Sequence, residues 1–195
     1  MRFLLGFFAL VFAAIAPASA QPARQTAVFA GGCFWCMEHD MGAIPGVLSV
    51  ESGYTGGTLR NPSYEDVLTE RTGHYEAVRV TFDANVISYR QLVDRYWRLV
   101  DPTDNGGQFC DRGPSYRAAI FVTPAQRADA TASREAVINS NRVRGRVVTA
   151  ILPLGPFYQA EEYHRDYARR NPTRYAMYRT GCGRDATLRR VWGGG

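Results

Sequence analysis

The chain has 195 residues, with 23 Lys+Arg against 18 Asp+Glu, a formal net charge of +5, four Cys and 46% apolar residues. That is enough chain for one full hydrophobic core and short for two, and its apolar content excludes a wholly disordered polymer. Four Cys are too sparse for a scaffold held mainly by bridges, but they suit one catalytic thiol with helpers, or two disulfides.

Met1 to Ala20 reads MRFLLGFFALVFAAIAPASA. Arg2 makes a positive start, Phe3 to Ala16 is an apolar run, and Ala18-Ser19-Ala20 is a small-x-small cleavage pattern. This predicts a secretory signal peptide over 1–20, cleaved after Ala20. The run is short of the ~20 apolar residues that a membrane span needs, so no stable membrane insertion is expected. Gln21 in place of Cys argues against a lipoprotein. Residues 21–195 then form a single domain, exported across the inner membrane to the periplasm. The surplus Arg lies late, from Arg142 to Arg190. Acids are interleaved and no nucleic-acid motif occurs, so these Arg are read as a solvated surface without a nucleic-acid partner.

Thr26 to Ala30 is a short apolar run stopped by Gly31-Gly32, which predicts a buried strand and a tight turn. Cys33 to Ala43 can form a helix ended by Pro45-Gly46. Val47 to Tyr54 alternates as a strand, Gly53 to Tyr64 reads as a loop, and Glu76 to Phe82 alternates again. Ser88 to Val100 starts on an N-cap Ser and carries apolar residues at helical spacing. Asp101 to Ser115 is a long Gly/Pro/Asp loop, Arg117 to Val122 a strand, and Pro124 to Ser140 a helix with Pro at its start. Val147 to Pro153 is a strand, Gln159 to Arg170 a short helix, and the remainder an irregular C-terminal tail. Strands alternating with helices, with one hairpin-like step, predict an α+β two-layer sandwich with a mixed sheet.

Gly32-Cys33-Phe34-Trp35-Cys36 puts a thiol just after a strand and a glycine turn, at a helix start. Partial positive charge and free N–H groups there favour a thiolate, lowering the pKa from ~8.5. Cys33-x-x-Cys36 also fits a thioredoxin-like redox pair, although Phe34-Trp35 is better suited to lining an apolar pocket. Zinc needs four ligands, and no second close Cys or His pair exists, so no metal is expected. Glu161-x-x-His164 has a di-iron spacing in a single copy and is read as a structural helix start.

Gly32-Cys33-Phe34-Trp35 resembles the signature of the A-class peptide methionine sulfoxide reductases. Gly53-Tyr54-Thr55-Gly56-Gly57, Asn61-Pro62-Ser63-Tyr64 and Gly73-His74-Tyr75-Glu76-Ala77-Val78 follow in that family's order. Asp111 to Arg117 (DRGPSYR) and Ala160 to His164 (AEEYH) complete the match, which spans about residues 27–170. The resemblance implies a ferredoxin-like βαβ core and reduction of the S-epimer of methionine sulfoxide, free or in proteins. It implies Cys33 as nucleophile, Glu76 as general acid, and Tyr64 and Tyr116 as hydroxyls on the sulfoxide oxygen. Asp111 joins that polar network, and Phe34 and Trp35 hold the substrate methyl. No bound cofactor is implied; a thioredoxin-like dithiol serves as co-substrate.

Recycling needs a second thiol to attack the Cys33 sulfenic acid. Cys182, in a Gly-flanked tail, is favoured because the family commonly keeps its resolving Cys in such a tail. Cys36 is close enough in sequence to form a CxxC disulfide, and Cys110, standing where Asn is common, is a third candidate. Ala118 stands where Ser is common, a departure expected to be minor. Two other readings stay open: an exported thiol–disulfide oxidoreductase, and a binding protein stapled by Cys33–Cys36 and Cys110–Cys182. Without a heptad or an interface stripe, a monomer is the default.

Overall fold

The computed structural model describes residues 23–193, so the expected signal peptide at 1–20 lies outside the described residues. In chain order the elements are β1 (Arg24–Ala30), α1 (Phe34–Gly42), β2 (Val47–Thr55), α2 (Tyr64–Leu68), β3 (Tyr75–Asp83), α3 (Tyr89–Tyr96), β4 (Gly107–Gln108) and β5 (Asp111–Arg112). Next come β6 (Ala119–Val122), α4 (Arg127–Asn139), β7 (Ala150–Pro153), β8 (Phe157–Gln159), α5 (Tyr167–Arg170), α6 (Pro172–Gly181) and α7 (Arg184–Trp192).

Alternation in β1 and β3 sends side chains to both faces of a six-stranded sheet ordered β7-β6-β1-β3-β2-β8. On one face Ala27, Phe29, Val78, Val80 and Phe82 meet Met37 and Met41 of α1 and Leu92, Val93 and Tyr96 of α3. Burying side chains such as Phe29 or Leu92 contributes roughly 1.5–3 kcal/mol each. The opposite face carries a smaller cluster of Val28, Ala30, Ala77, Ala119 and Phe121.

The unit β1-α1-β2-β3-α3-β6 has spatial order β6-β1-β3-β2, with every neighbouring pair antiparallel. That is the ferredoxin-like split-βαβ arrangement implied by the resemblance. The mixed character comes from β7, which pairs parallel with β6, while β8 adds antiparallel to β2.

The predicted strands and the helix at Cys33–Ala43 are present with shifts of one to three residues. The helix predicted from Ser88 keeps its capping box with Gln91, then tightens into a 3-10 turn at Trp97–Leu99. Tyr96 stacks on Phe29 at 4.9 Å and donates its hydroxyl hydrogen to the Ala30 carbonyl at 2.8 Å. This anchors the end of β1, where the chain turns towards Cys33.

Two expectations are corrected. The helix at Gln159–Arg170 is instead β8, a 3-10 turn at Glu162–His164 and α5, because Gln159 completes the ladder opposite Gly53 and Asp166 takes a left-handed φ of 53°. The irregular tail is instead two helices, α6 and α7. Neither shows a broad apolar stripe: α6 buries Tyr175 and α7 buries Arg184.

Arg184 works as an anchor in place of an apolar stripe. Its guanidinium donates to the Leu99 carbonyl at 2.7 Å, the Gly31 carbonyl at 3.3 Å and Asp40 Oδ2 at 3.3 Å, and lies over the Phe109 ring at 4.5 Å. Arg179 also meets Asp40, at 2.7 Å. Removing the Arg184 cation leaves two carbonyls and part of a buried carboxylate without partners, which costs about 3 kcal/mol. Arg184→Met is therefore expected to lower the unfolding free energy by about 3 kcal/mol in urea titration. A change under about 0.5 kcal/mol, typical of surface sites, would contradict the anchoring role.

Candidate active site

After Ala30 the chain turns through Gly31-Gly32. Gly32 has φ +79°, and a Cβ there would stand 2.7 Å from the Gln108 Cβ, so a side chain is excluded by conformation and by space. Cys33 is then the N-cap of α1, and its carbonyl accepts from the N–H groups of Cys36 and Met37 at 3.1 and 3.2 Å. One turn on, the Cys36 thiol is hydrogen-bonded to that of Cys33. Both are free thiols, at 6% and 2% exposure.

The orphan N–H of Phe34 donates to Glu76 Oε2 at 2.9 Å. Glu76 enters from the start of β3 and is 3% exposed. Burial pushes its carboxyl up to about 8, and the negative charges of Asp111 and Glu70 push the same way against the Phe34 N–H and the Tyr116 hydroxyl. It is therefore a neutral carboxylic acid at neutral pH. Tyr116 is hydrogen-bonded to both Glu76 and the Tyr64 hydroxyl. Burial, then the Glu76 charge, hold Tyr64 up to about 12, so it remains a hydroxyl.

The expectation that the helix start lowers the Cys33 pKa is corrected. Burial pushes this thiol well above its usual range; the Cys36 contact and the Glu76 charge add to this, and the Tyr178 hydroxyl opposes it. Desolvation outweighs the helix terminus because the sulfur is fully enclosed. Cys36 moves the other way, through the hydrogen bond from Cys33 and then the Arg184 cation and the Tyr175 hydroxyl.

The predicted residues Cys33, Phe34, Trp35, Cys36, Glu76, Tyr64, Tyr116 and Asp111 come together around the start of α1. Phe34 is buried beside the Tyr54, Tyr64 and His164 rings at 5.8, 6.5 and 5.0 Å. Trp35 stacks on Tyr167 at 3.7 Å. Asp111 accepts from the Tyr178 hydroxyl at 2.6 Å, and burial raises its carboxyl. Cys182 is joined to Cys110 by a disulfide.

Several residues around the site had been given no role in it from the sequence. Glu161 accepts from the Tyr64 N–H at 2.7 Å and the Tyr54 hydroxyl at 2.8 Å, and so fixes where Tyr64 begins α2. His164 packs on Tyr64 at 4.3 Å and accepts the Trp35 indole N–H on Nδ1 at 3.1 Å. The Glu161-x-x-His164 spacing, read as a helix start, does open a 3-10 turn and also supplies a wall of the site. Its place within the ordered motif blocks was the available signal. Tyr178 and Arg184 lay in the supposed tail and gave none.

A paired thiol facing a neutral carboxylic acid inside an aromatic cage defines a cysteine-dependent oxidoreductase. The chain belongs to the peptide methionine sulfoxide reductase family: the family model of that description matches residues 25–194. A peptide methionine sulfoxide reductase of Caulobacter vibrioides is 64% identical over 197 residues, covering 100% of both chains. One from Bacillus licheniformis is 52% identical over 171 residues, covering 87% of this chain and 94% of the relative. Among solved structures, methionine sulfoxide reductase A of Corynebacterium diphtheriae superposes with TM-score 0.68 at 32% identity, covering 78% of this chain and 77% of that one. Reduced Mxr1 of Saccharomyces cerevisiae gives TM-score 0.70 at 30% identity, covering 79% and 90%.

The raised Glu76 pKa makes a stability prediction. A carboxyl whose folded pKa exceeds its unfolded value stabilises the fold fully below the unfolded pKa, and that contribution is lost as pH rises through the folded pKa. From about 4.5 to about 8 wild type should therefore lose stability relative to Glu76→Gln, with no further change above. Urea midpoints of both proteins across that range check it; a constant difference would contradict the burial.

Proposed function

We propose that the protein reduces the S-epimer of methionine sulfoxide, free or within proteins, through a Cys33 sulfenic acid. Glu76 donates a proton to the sulfoxide oxygen while the Tyr64 and Tyr116 hydroxyls hydrogen-bond it. Cys33 attacks the substrate sulfur, with Phe34 and Trp35 against the methyl group. Methionine leaves and Cys33 keeps the oxygen. Cys36 then displaces that oxygen as water, and a thioredoxin-like dithiol reduces the resulting Cys33–Cys36 disulfide. The observation that carries this reading is the buried Glu76 carboxyl, its pKa raised by burial, on the Phe34 N–H at the helix start that holds Cys33.

Cys36 is the resolving thiol in this reading, because it already touches Cys33 while Cys182 is bonded to Cys110. The stapled binding protein required a Cys33–Cys36 bond, and both are free thiols. The family match over residues 25–194 favours sulfoxide reduction over a general thiol–disulfide oxidoreductase. Export to the periplasm is inferred from the pattern at 1–20. A disulfide between Cys110 and Cys182, which an oxidising compartment preserves, supports it. No described helix is long and apolar enough to cross a membrane.

Reduction of separated S and R epimers of a methionine sulfoxide peptide, with a dithiol donor, tests the assignment. Cys33→Ser should release no methionine. Cys36→Ser should release one equivalent per enzyme and then stop, whereas Cys182→Ser should continue through repeated turnovers. A single-turnover stop in Cys182→Ser would give the resolving role to Cys182. Glu76→Gln should slow the first release by about 10²–10⁴-fold.

A further inference from the structure

Of the two hydroxyls assigned to the sulfoxide oxygen, that of Tyr64 opens a helix and is tied at its own backbone N–H by Glu161. Tyr116 has no helix or strand behind it. It ends the 3-10 turn Pro114–Tyr116, on the connection that leads from the β4–β5 hairpin into β6. A hydroxyl that must meet one oxygen cannot be left to a loose turn, since a misplacement of about 1 Å can cost about 10²-fold in rate. Something has to hold that turn in place.

Glu70 does so. Both of its carboxylate oxygens are engaged by Ser115, the residue before Tyr116. Oε2 accepts from the Ser115 N–H at 2.9 Å, and Oε1 accepts from the Ser115 hydroxyl at 2.8 Å. Ser115 is 1% exposed, so without the carboxylate these two donors would have no water to turn to. The Tyr116 N–H closes the turn on the Gly113 carbonyl at 3.1 Å. Gly113, at φ +126°, lies so near Glu70 that a Cβ there would run into the carboxyl. The turn is folded directly onto this one side chain.

The backbone of Glu70 is an independent sign. Thr69 caps the C-terminus of α2, and Glu70 follows it at a left-handed φ of 60°. Glycine is the usual residue at that place, because a Cβ crowds the carbonyl that follows. A long acidic side chain in a glycine position is explained by what the carboxylate holds, not by what the backbone prefers. The Glu70 N–H donates to the carbonyl of buried Val67 at 3.0 Å, so the base of the clamp is fixed to the short helix that Tyr64 opens.

We propose that Glu70 is a positioning residue for sulfoxide reduction: by clamping Ser115 it sets where the Tyr116 hydroxyl stands relative to Glu76 and Tyr64. It touches no substrate and acts through Tyr116. The proposal rests on the role given to Tyr116 in that reaction and deepens it. Each site tyrosine is then held by its own carboxylate, Tyr64 by Glu161 and Tyr116 by Glu70, and each carboxylate accepts one backbone N–H and one hydroxyl. In Glu70→Gln the amide oxygen can still accept the Ser115 N–H, and the amide N–H can donate to the Ser115 hydroxyl, which accepts as well as donates. Glu70→Gly removes both contacts and leaves a residue suited to the left-handed backbone.

The test follows Tyr116 directly, by NMR of protein isotope-labelled at the tyrosine ζ carbon, with resonances assigned by single phenylalanine substitutions. The Tyr116 resonance should shift in Glu70→Gly and return towards its wild-type position in Glu70→Gln. That of Tyr96, hydrogen-bonded to the Ala30 carbonyl within the core, should stay in place in both. In single turnovers of a methionine sulfoxide peptide, Glu70→Gly should slow methionine release about tenfold to a hundredfold. Glu70→Gln should recover most of that loss. Adding Glu70→Gly to Tyr116→Phe should slow release by no more than about twofold further, because both act on one hydroxyl. A Tyr116 resonance unmoved in Glu70→Gly, a Tyr96 resonance that moves with it, no recovery in Glu70→Gln, or losses that multiply with Tyr116→Phe would each overturn the positioning role. The resonances are read without sulfoxide, so the two failures are distinct. Absence of methionine release from wild type would overturn sulfoxide reduction and this role with it, whereas an unmoved Tyr116 in a protein that releases methionine would overturn the role alone.

Discussion

The hydrogen bond from the Phe34 N–H to Glu76 joins two segments 42 residues apart, and the candidate site is assembled around it. It satisfies an orphan donor at the start of α1 and a buried carboxyl at the start of β3. The sheet makes this meeting unavoidable. Because β1 and β3 are antiparallel, with Phe29 opposite Val78, the exit of β1 lies beside the entry of β3. The chain turns into Cys33 where Glu76 arrives. Side-chain parity does the rest, since Glu76 shares the helix-covered face with Val78, Val80 and Phe82. A one-residue slip in this pairing would send Glu76 to the opposite face and leave the start of α1 without its carboxyl.

The same burial acts on the two groups in opposite senses. For Glu76 it keeps a proton on the carboxyl, which suits the acid role proposed for it. For Cys33 it keeps a proton on the sulfur, which opposes the nucleophilic role proposed for it. A helix terminus supplies partial charge, worth about 0.3–1 kcal/mol at an exposed position and up to ~2 where partly buried. Full desolvation of a thiolate is larger than that. The enclosed site therefore strengthens the hydrogen bonds around Glu76 while making ionisation of the sulfur depend on specific neighbours. Arg184 and Tyr175 give Cys36 such neighbours, and Tyr178 gives one to Cys33.

Much of the framework was legible because it rests on short-range rules. A short apolar run located β1 and alternation β2 and β3; Ser88 marked the start of α3; Gly31-Gly32 before Cys33 marked a turn into a helix. Glu76, Tyr64, Tyr116 and Asp111 were named through the ordered motif blocks. Taken singly, an acid at a strand end and two aromatics carry no sign of what they face. The C-terminal quarter was illegible for a different reason. Periodicity detects helices that bury apolar stripes, and α6 and α7 are docked by Arg179, Arg184 and Trp192 through hydrogen bonds to Asp40 and backbone carbonyls. A buried Arg looks like a surface Arg in a sequence. So does a cysteine that pairs with a partner 72 residues away.

The docking of α6 and α7 also explains why the two cysteine pairs divide as they do. Arg184 reaches the Gly31 carbonyl, which fixes the start of α7 against the turn before Cys33. With α7 held there, Cys182 at the α6–α7 junction is placed at the β4–β5 hairpin and meets Cys110. Cys33 and Cys36 sit one helical turn apart at the start of α1, which is itself packed against β2 and β3. Their approach therefore needs no movement of the C-terminal helices. A resolving thiol drawn from Cys182 would need the Cys110 bond opened and α6 unwound from its last turn, taking the Tyr178 hydroxyl away from Asp111 as it left. Proximity in a rigid helix start thus pairs Cys33 with Cys36, and leaves the outer pair to join the segments that carry Asp111 and Tyr178.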